Sequence, residues 1–503
     1  MPRHALLPTL ALAAMLGGPA YAQTAPSPEQ AKALEAQVTA WLKQVTGNSV
    51  TLPARPIELT PEGDHYLVRV PLGGLGKVQP ANAAITMKAR ALDGTRWALD
   101  DQQFPADLTV TTSEMVPDAP DAKDPSPTGT HSEAVTYHAV VGKQDVHGVF
   151  DPTYSTATTN GGTIASMDLT KTGGAGASTT HLGRMTSQSS TQPTDPAHIN
   201  LLVDGTGEDY TIKSAMPDGG SISISSSRLH VMSAISGLAH DQLLPVIQSL
   251  AAIGKLSQGS HPDGDQQGPT PAEKVAMRDL LQKAHALLTG TKVDESLEGV
   301  KFDVSGTSGS IGKVQISFGG DAPQNLLSAD MGLTLDGLVV DALPPNLAGF
   351  VPTHFTIHPT VSNIAVDALT KMGMDATAPV KPGGSPAPDP DVQALFAHGG
   401  LNAGFDKLAM DIAGTTLEGD GKFVVTGPQT VTGQAQFTAK GLDALITKMQ
   451  ADPMLAQGVP VVIFLKGIAR TTADQSVWQV SVNNTKLLVN GVDLSAMAGA
   501  MSK

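Results

Sequence analysis

The chain has 503 residues, 52 of them glycine and none cysteine, with 47 acidic against 32 basic side chains and a formal net charge of −15. Without cysteine there is no disulfide, no thiolate metal site and no lipid carried on a cysteine after leader cleavage. The acidic balance and the lack of any Lys/Arg cluster leave no phosphate-binding surface, so nucleic acid is not an expected partner.

Residues 1–22 predict a secretory leader. MPRH is a short basic start, ALLPTLALAAML is an apolar run too short to span a bilayer, and Ala20-Tyr21-Ala22 is a small-x-small cleavage signal. Cleavage is expected between Ala22 and Gln23 and leaves 31 basic against 47 acidic residues, a net −16. With no disulfide and one sequon, Asn483-Asn484-Thr485, the periplasm is the expected compartment. No later apolar run reaches the roughly 20 residues of a membrane span. The longest, VPVVIFL at 459–465, has the length of a strand. Low charge with abundant Gly, Ser and Thr suits an exported β-rich protein. An outer-membrane barrel would need aromatic girdles, for which 5 Tyr and 3 Trp are too few.

The region 23–115 reads as one helix followed by strands. Ser27 is the N-cap, Pro28 takes the first helical position, and Gln30 completes a capping box. Leu34, Val38, Trp41, Leu42 and Val45 form an apolar stripe, and Gly47-Asn48 ends it. HYLVRVPL, AAITMKARAL, TRWALD and DLTVTT then read as strands, punctuated by Pro, Asp and Gly. Residues 116–130 have the composition of a linker.

Residues 131–503 read as a repetitive strand/helix region with loop insertions near 257–271 and 378–391. Each insertion leads into a helix, one starting at Thr270-Pro271-Ala272-Glu273 and ending at Gly290, the other starting at Asp389-Pro390 and ending at Gly399. The clearest unit is VTGQAQFTAKGLDALITKM (431–449). Val431, Gly433, Ala435, Phe437 and Ala439 alternate with polar residues, then Leu442, Leu445, Ile446 and Met449 take the helical period. A half-buried strand therefore feeds a covering helix. The same pattern is read at 221–247, where Ile222 and Ile224 precede Val231, Ile235 and Leu238. It is read again at 353–372, where Phe355 and Ile357 precede Val361, Ala365, Leu369 and Met372. The expected fold class is α+β and β-dominant: an extended or curved antiparallel sheet covered by short amphipathic helices.

LEGDGKFVVTGPQTVTGQAQFTAKGLDALITKM (417–449) and VWQVSVNNTKLLVNGVDLSAM (477–497) resemble the C-terminal parts of the YdgA-like bacterial periplasmic proteins, themselves distantly AsmA-like. The shared features are a strand, turn, strand and Gly-Leu helix series and a last strand closing on Val489-Asn490-Gly491. The resemblance covers the last third of the chain. It implies an exported β-rich scaffold without known catalytic residues, so no site residue is carried over. Members often keep an uncleaved N-terminal anchor, whereas Ala20-Tyr21-Ala22 predicts release.

Several stretches contain residue types used in chemistry. His354 and His358 have a helical metal-ligand spacing, but PTHFTIHPT reads as a strand, along which four residues span about 13 Å. His261-Pro262-Asp263-Gly264-Asp265 lacks the ligand ladder of a calcium loop. Ser310-Ile311-Gly312-Lys313, Lys171-Thr172-Gly173 and Ser481-Val482-Asn483 resemble a penicillin-binding set in the wrong chain order. GGLGK (73–77) and GTSGSIGKV (306–314) do not fit a phosphate loop. No catalytic, cofactor-binding or metal-binding residue is assigned, and no cofactor is expected. The functional expectation is a non-catalytic exported cell-envelope protein that binds lipid or another envelope component through an apolar sheet surface. The alternatives are a periplasmic hydrolase of envelope polymers and an assembly or adhesion module using an exposed strand edge.

Overall fold

The computed structural model describes residues 25–46, 55–117, 130–259, 270–376 and 392–494, except residues 74–76, 94–95, 152, 155, 175, 217–218, 285–286, 288, 342, 428–429, 473–474 and 485. The expected leader, the Gly47-Asn48 stop, the His261–Asp265 loop and the Asp389-Pro390 helix start lie outside the described residues. The chain falls into two units, one carrying the described residues up to Thr289 and the other those from Gly290 on. Strand dominates both, every strand pairing in them is antiparallel, and the helices are short.

In the first unit, α1 (Pro28–Thr46) starts as its residues dictate. The Ser27 Oγ accepts the Gln30 N–H at 3.3 Å. The Gln30 side chain accepts instead from the Tyr66 hydroxyl at 3.1 Å, which ties the helix to the sheet beneath it. The strands are β1 (Glu58–Glu62), β2 (His65–Pro71), β3 (Lys77–Gln79), β4 (Ala84–Ala91), β5 (Trp97–Gln103), β6 (Asp107–Pro117), β7 (Thr130–Val141), β8 (Gln144–Asp151), β9 (Thr156–Ile164), β10 (Met167–Gly173), β11 (Ser178–Leu182), β12 (Met185–Pro193), β13 (His198–Ala215) and β14 (Ser221–Ala239).

Successive hairpins go alternately to two ribbons. One runs β1–β2–β4–β5–β8–β9–β12–β13. The other runs β3–β6–β7–β10–β11–β13. The long strand β13 joins them, pairing with β12 over Ile199–Gly207 and with β11 over Thr211–Ser214. Because β6 and β7 pair as a hairpin, the 116–130 segment is a connection inside this unit. Alternation puts Tyr66, Val68, Val70, Ile85, Met87 and Leu99 of the first ribbon into one core. Val78, Leu108 and Val110 join it from the second ribbon, and Ala31, Leu34 and Val38 from α1.

Two expectations fail here. The residues at 226–239 continue β14 to Ala239, and the helix α2 (His240–Gly259) starts only after it. The helix-like step from Ile235 to Leu238 is a β-bulge: Ile235 pairs with Leu201 and Leu238 with Ile199, so Ser236 and Gly237 together oppose Asn200, with Gly237 at φ +58°. The helix α3 (Pro271–Ala284) begins where expected, with Thr270 and Glu273 in a reciprocal capping box. It stops well short of Gly290, which instead opens the next strand.

The second unit is a meander of β15 (Gly290–Val304), β16 (Thr307–Asp321), β17 (Leu326–Asp336), β19 (His354–Ala365), β20 (Leu401–Ile412), β21 (Thr415–Gly427), β22 (Thr430–Lys440), β24 (Gln475–Asn483), β25 (Lys486–Val489) and β26 (Val492–Asp493), each paired to the next. Two short strands flank it: β18 (Val339–Val340) on β16 and β23 (Arg470–Thr472) on β24. The helices α4 (Pro345–Ala348), α5 (Val366–Ala376), α6 (Leu442–Gln450) and α7 (Val459–Ile468) interrupt the meander.

The 431–449 segment is a strand feeding a helix, hinged at Gly441 in the left-handed region with φ +78°. At 353–372 the strand runs on through Val361 to Ala365, and only Leu369 and Met372 lie in α5. Before Gly399 there is a single 3-10 turn, Val392–Phe396. VPVVIFL is not a strand but most of α7. Pro460 supplies no N–H for a sheet ladder, while its fixed φ suits a helix start, so the apolar run winds instead of pairing.

Candidate functional site

Register turns the alternation of single strands in the second unit into continuous apolar rows. Paired residues of neighbouring strands share a face. One row runs Val314–Leu335–Phe355–Met410–Leu417–Ala439 across β16, β17, β19, β20, β21 and β22. A second runs Ile316–Leu333–Ile357–Leu408–Gly419–Phe437–Trp478 and reaches β24. A third begins with Val293–Phe318–Met331 and resumes as Phe405–Gly421–Ala435–Val480–Val489. At about 4.8 Å per strand, the longest unbroken row extends roughly 29 Å from β16 to β24.

Little of this face is covered. The buried cluster of the unit is confined to its C-terminal end, around Ala439, Trp478 and Val489. Toward β15 the same rows leave Ile316 46%, Phe318 48% and Met331 51% exposed. Full burial of each would gain on the order of 1 kcal/mol, so three adjacent wet side chains mark a surface shaped for something else.

At the covered end, α6 and α7 roof an apolar cleft of about 350 Å³, lined by Met410, Leu417, Phe437 and Trp478 below and by Leu445, Val462 and Leu465 above. The Trp478 indole N–H donates to the Leu465 carbonyl at 2.8 Å and pins α7 over the sheet. Two glycines of β21 make room for aromatic rings. A Cβ on Gly419 would lie 2.5 Å from a ring carbon of Phe437, and one on Gly421 would lie 2.9 Å from the ring of Phe405. Those rings stack at 5.8 Å, tilted by 30°.

The opposite face is polar. His354 pairs with Asp336, and His358 with Asp330 at 3.1 Å. Each imidazole thus has its own carboxylate across the β17–β19 ladder, in the strand setting read from PTHFTIHPT. Thr334 and Thr356 bond between the two pairs at 3.1 Å. Among the described residues, no three His, Asp or Glu side chains gather in a metal-ligand cluster. Ser310 and Lys313 sit on β16 with odd spacing, on opposite faces. Lys171 belongs to β10 and pairs with Glu114 at 2.7 Å, and Ser481 lies on β24 beside a polar hollow lined by Gln434, Gln436 and Gln479.

One serine that sequence reasoning passed over has charged neighbours. The Ser249 Oγ in α2 lies 2.6 Å from Asp279 and 3.1 Å from the Lys283 Nζ of α3. Lys283 also donates to Asp279 at 2.7 Å, so the three side chains form one hydrogen-bonded group. The group is a polar staple between two helices.

No known protein family, curated protein or solved structure matches the chain.

Proposed function

We propose that this is a non-catalytic cell-envelope protein, delivered to the periplasm by its 1–22 leader, which holds lipid acyl chains against the apolar rows of its second unit. The observation that carries this reading is the set of apolar rows, in register over as many as seven strands and left half-exposed at Ile316, Phe318 and Met331. Half the hydrocarbon thickness of a bilayer is about 15 Å, so a row of roughly 29 Å exceeds the length of one leaflet's chains. The roofed cleft supplies a dry end for a chain terminus. Engineered apolar cavities of about 150 Å³ already take up benzene, and this cleft is larger, at about 350 Å³. The resemblance to YdgA-like proteins agrees with an exported scaffold that has no catalytic centre.

The test is lipid extraction from protein purified without detergent, followed by uptake of a fluorescent phospholipid. Bound lipid in the mass spectrum, and uptake lost in Ile316→Asp/Phe318→Asp, are the expected results. If the wild type carries no endogenous lipid and takes up none, the reading is excluded.

A further inference from the structure

We infer that α7 and the turn before it form a membrane-docking element that lies in the headgroup region of a bilayer. This rests on the lipid-binding reading above and names the surface from which that lipid is collected or to which it is delivered. The inner side of α7 meets the cleft: Val462 and Leu465 line it, Leu465 staying 40% exposed, and Val459 is buried. At 100° per residue, the outward side then presents Pro460, Val461, Ile463, Phe464 and Gly467. None of these is polar. Val461 is 60%, Ile463 50% and Phe464 40% exposed, and Met454 in the preceding turn is 74% exposed. A helix whose only polar side chain is one lysine belongs in a core or at a membrane, and this one is covered on one side only.

Charge and length decide the occupant. From Pro453 to Ala469 there is no carboxylate and one cation, Lys466, which pairs with Asp443 of α6, in a chain with 47 acidic residues. With that ion pair neutral overall, the exposed side carries no net charge in an acidic chain, so it does not repel an anionic lipid surface. Ten residues of helix are about 15 Å long, half of a bilayer core, so α7 lies along the interface and does not cross it. Position points the same way. One helix has its inner side on the cleft at the end of the apolar rows and its outer side in solvent, so docking would bring the lipid store within one helix diameter of the bilayer.

The full mature protein is to be sedimented with vesicles of phosphatidylethanolamine and phosphatidylglycerol at low salt. The variants are Val461→Asp/Phe464→Asp on the outward side and Ile316→Asp/Phe318→Asp in the apolar rows. The wild type is expected to sediment with the vesicles. The α7 variant should lose at least tenfold in partitioning while keeping its co-purified lipid, and the row variant should lose lipid while still sedimenting. Circular dichroism matching the wild type checks that both variants fold. A wild type that stays in the supernatant, or an α7 variant that sediments equally, overturns the inference. So does a wild-type dimer, seen by light scattering, that the α7 variant converts to monomer without any vesicle binding; a second copy would then be the occupant. If co-purified lipid is absent but sedimentation depends on Val461 and Phe464, the lipid-binding reading fails and the docking surface stands.

Discussion

At the residue scale, a few side chains decide whether sheet and roof stay together. Gly419→Ala places a methyl inside the ring space of Phe437 and should destabilise the unit by about 1–3 kcal/mol, measured by urea unfolding. Asp452 is a second such point. It is buried, accepts from the Asn346 side chain and from the Met454 and Leu455 backbone N–H groups, and anchors the turn that leads to α7. Those donors, Asn346 first, hold its pKa below the ordinary 3.8 despite desolvation, which acts the other way. A carboxylate with a lowered pKa in the folded protein contributes stability that is full above the unfolded value and is lost as pH falls through the folded one. The stability gap between the wild type and Asp452→Asn should therefore be constant near neutrality and shrink below about pH 4, by unfolding titrations at several pH values.

At the element scale, local sequence and tertiary pairing divided the outcome. Helix starts were legible because caps are local: Ser27 and Thr270 both accept N–H groups three residues on. Thr270→Ala should cost about 1 kcal/mol and fray α3, seen as a loss of helical signal together with a lower melting temperature. Element type failed where the deciding fact was not local. The spacing of Ile235 and Leu238 looks helical until β13 is present to accept a bulge, and VPVVIFL looks like a strand although no neighbouring strand takes it up. Length and β-branching describe an apolar run; its partners choose its form.

At the scale of the whole molecule, the two units use their apolar residues differently. In the first, two ribbons and a helix bury one continuous core. In the second, the buried cluster occupies one end and the apolar rows run on uncovered. Ile316→Asp/Phe318→Asp should therefore change unfolding stability little, within about 1 kcal/mol, while abolishing lipid uptake. A ligand that binds only the folded form stabilises in proportion to the logarithm of its concentration. Delipidated protein should accordingly melt at a lower temperature than protein as purified, and added phospholipid should restore it, in a scanning calorimeter.

The sequence by itself determined the β-dominant class, the strand faces, the helix caps and the lack of any sulfur chemistry. Each of these follows from residue identity and spacing within some ten positions. Only the tertiary structure decided that Val314, Leu335, Phe355, Met410 and Leu417 share a line, since a one-residue slip in any pairing would send that strand's apolar side to the other face. The division of the first unit into alternating ribbons, and the open end of the second unit's apolar face, likewise depend on contacts between residues far apart in the chain. No window of neighbouring residues contains them.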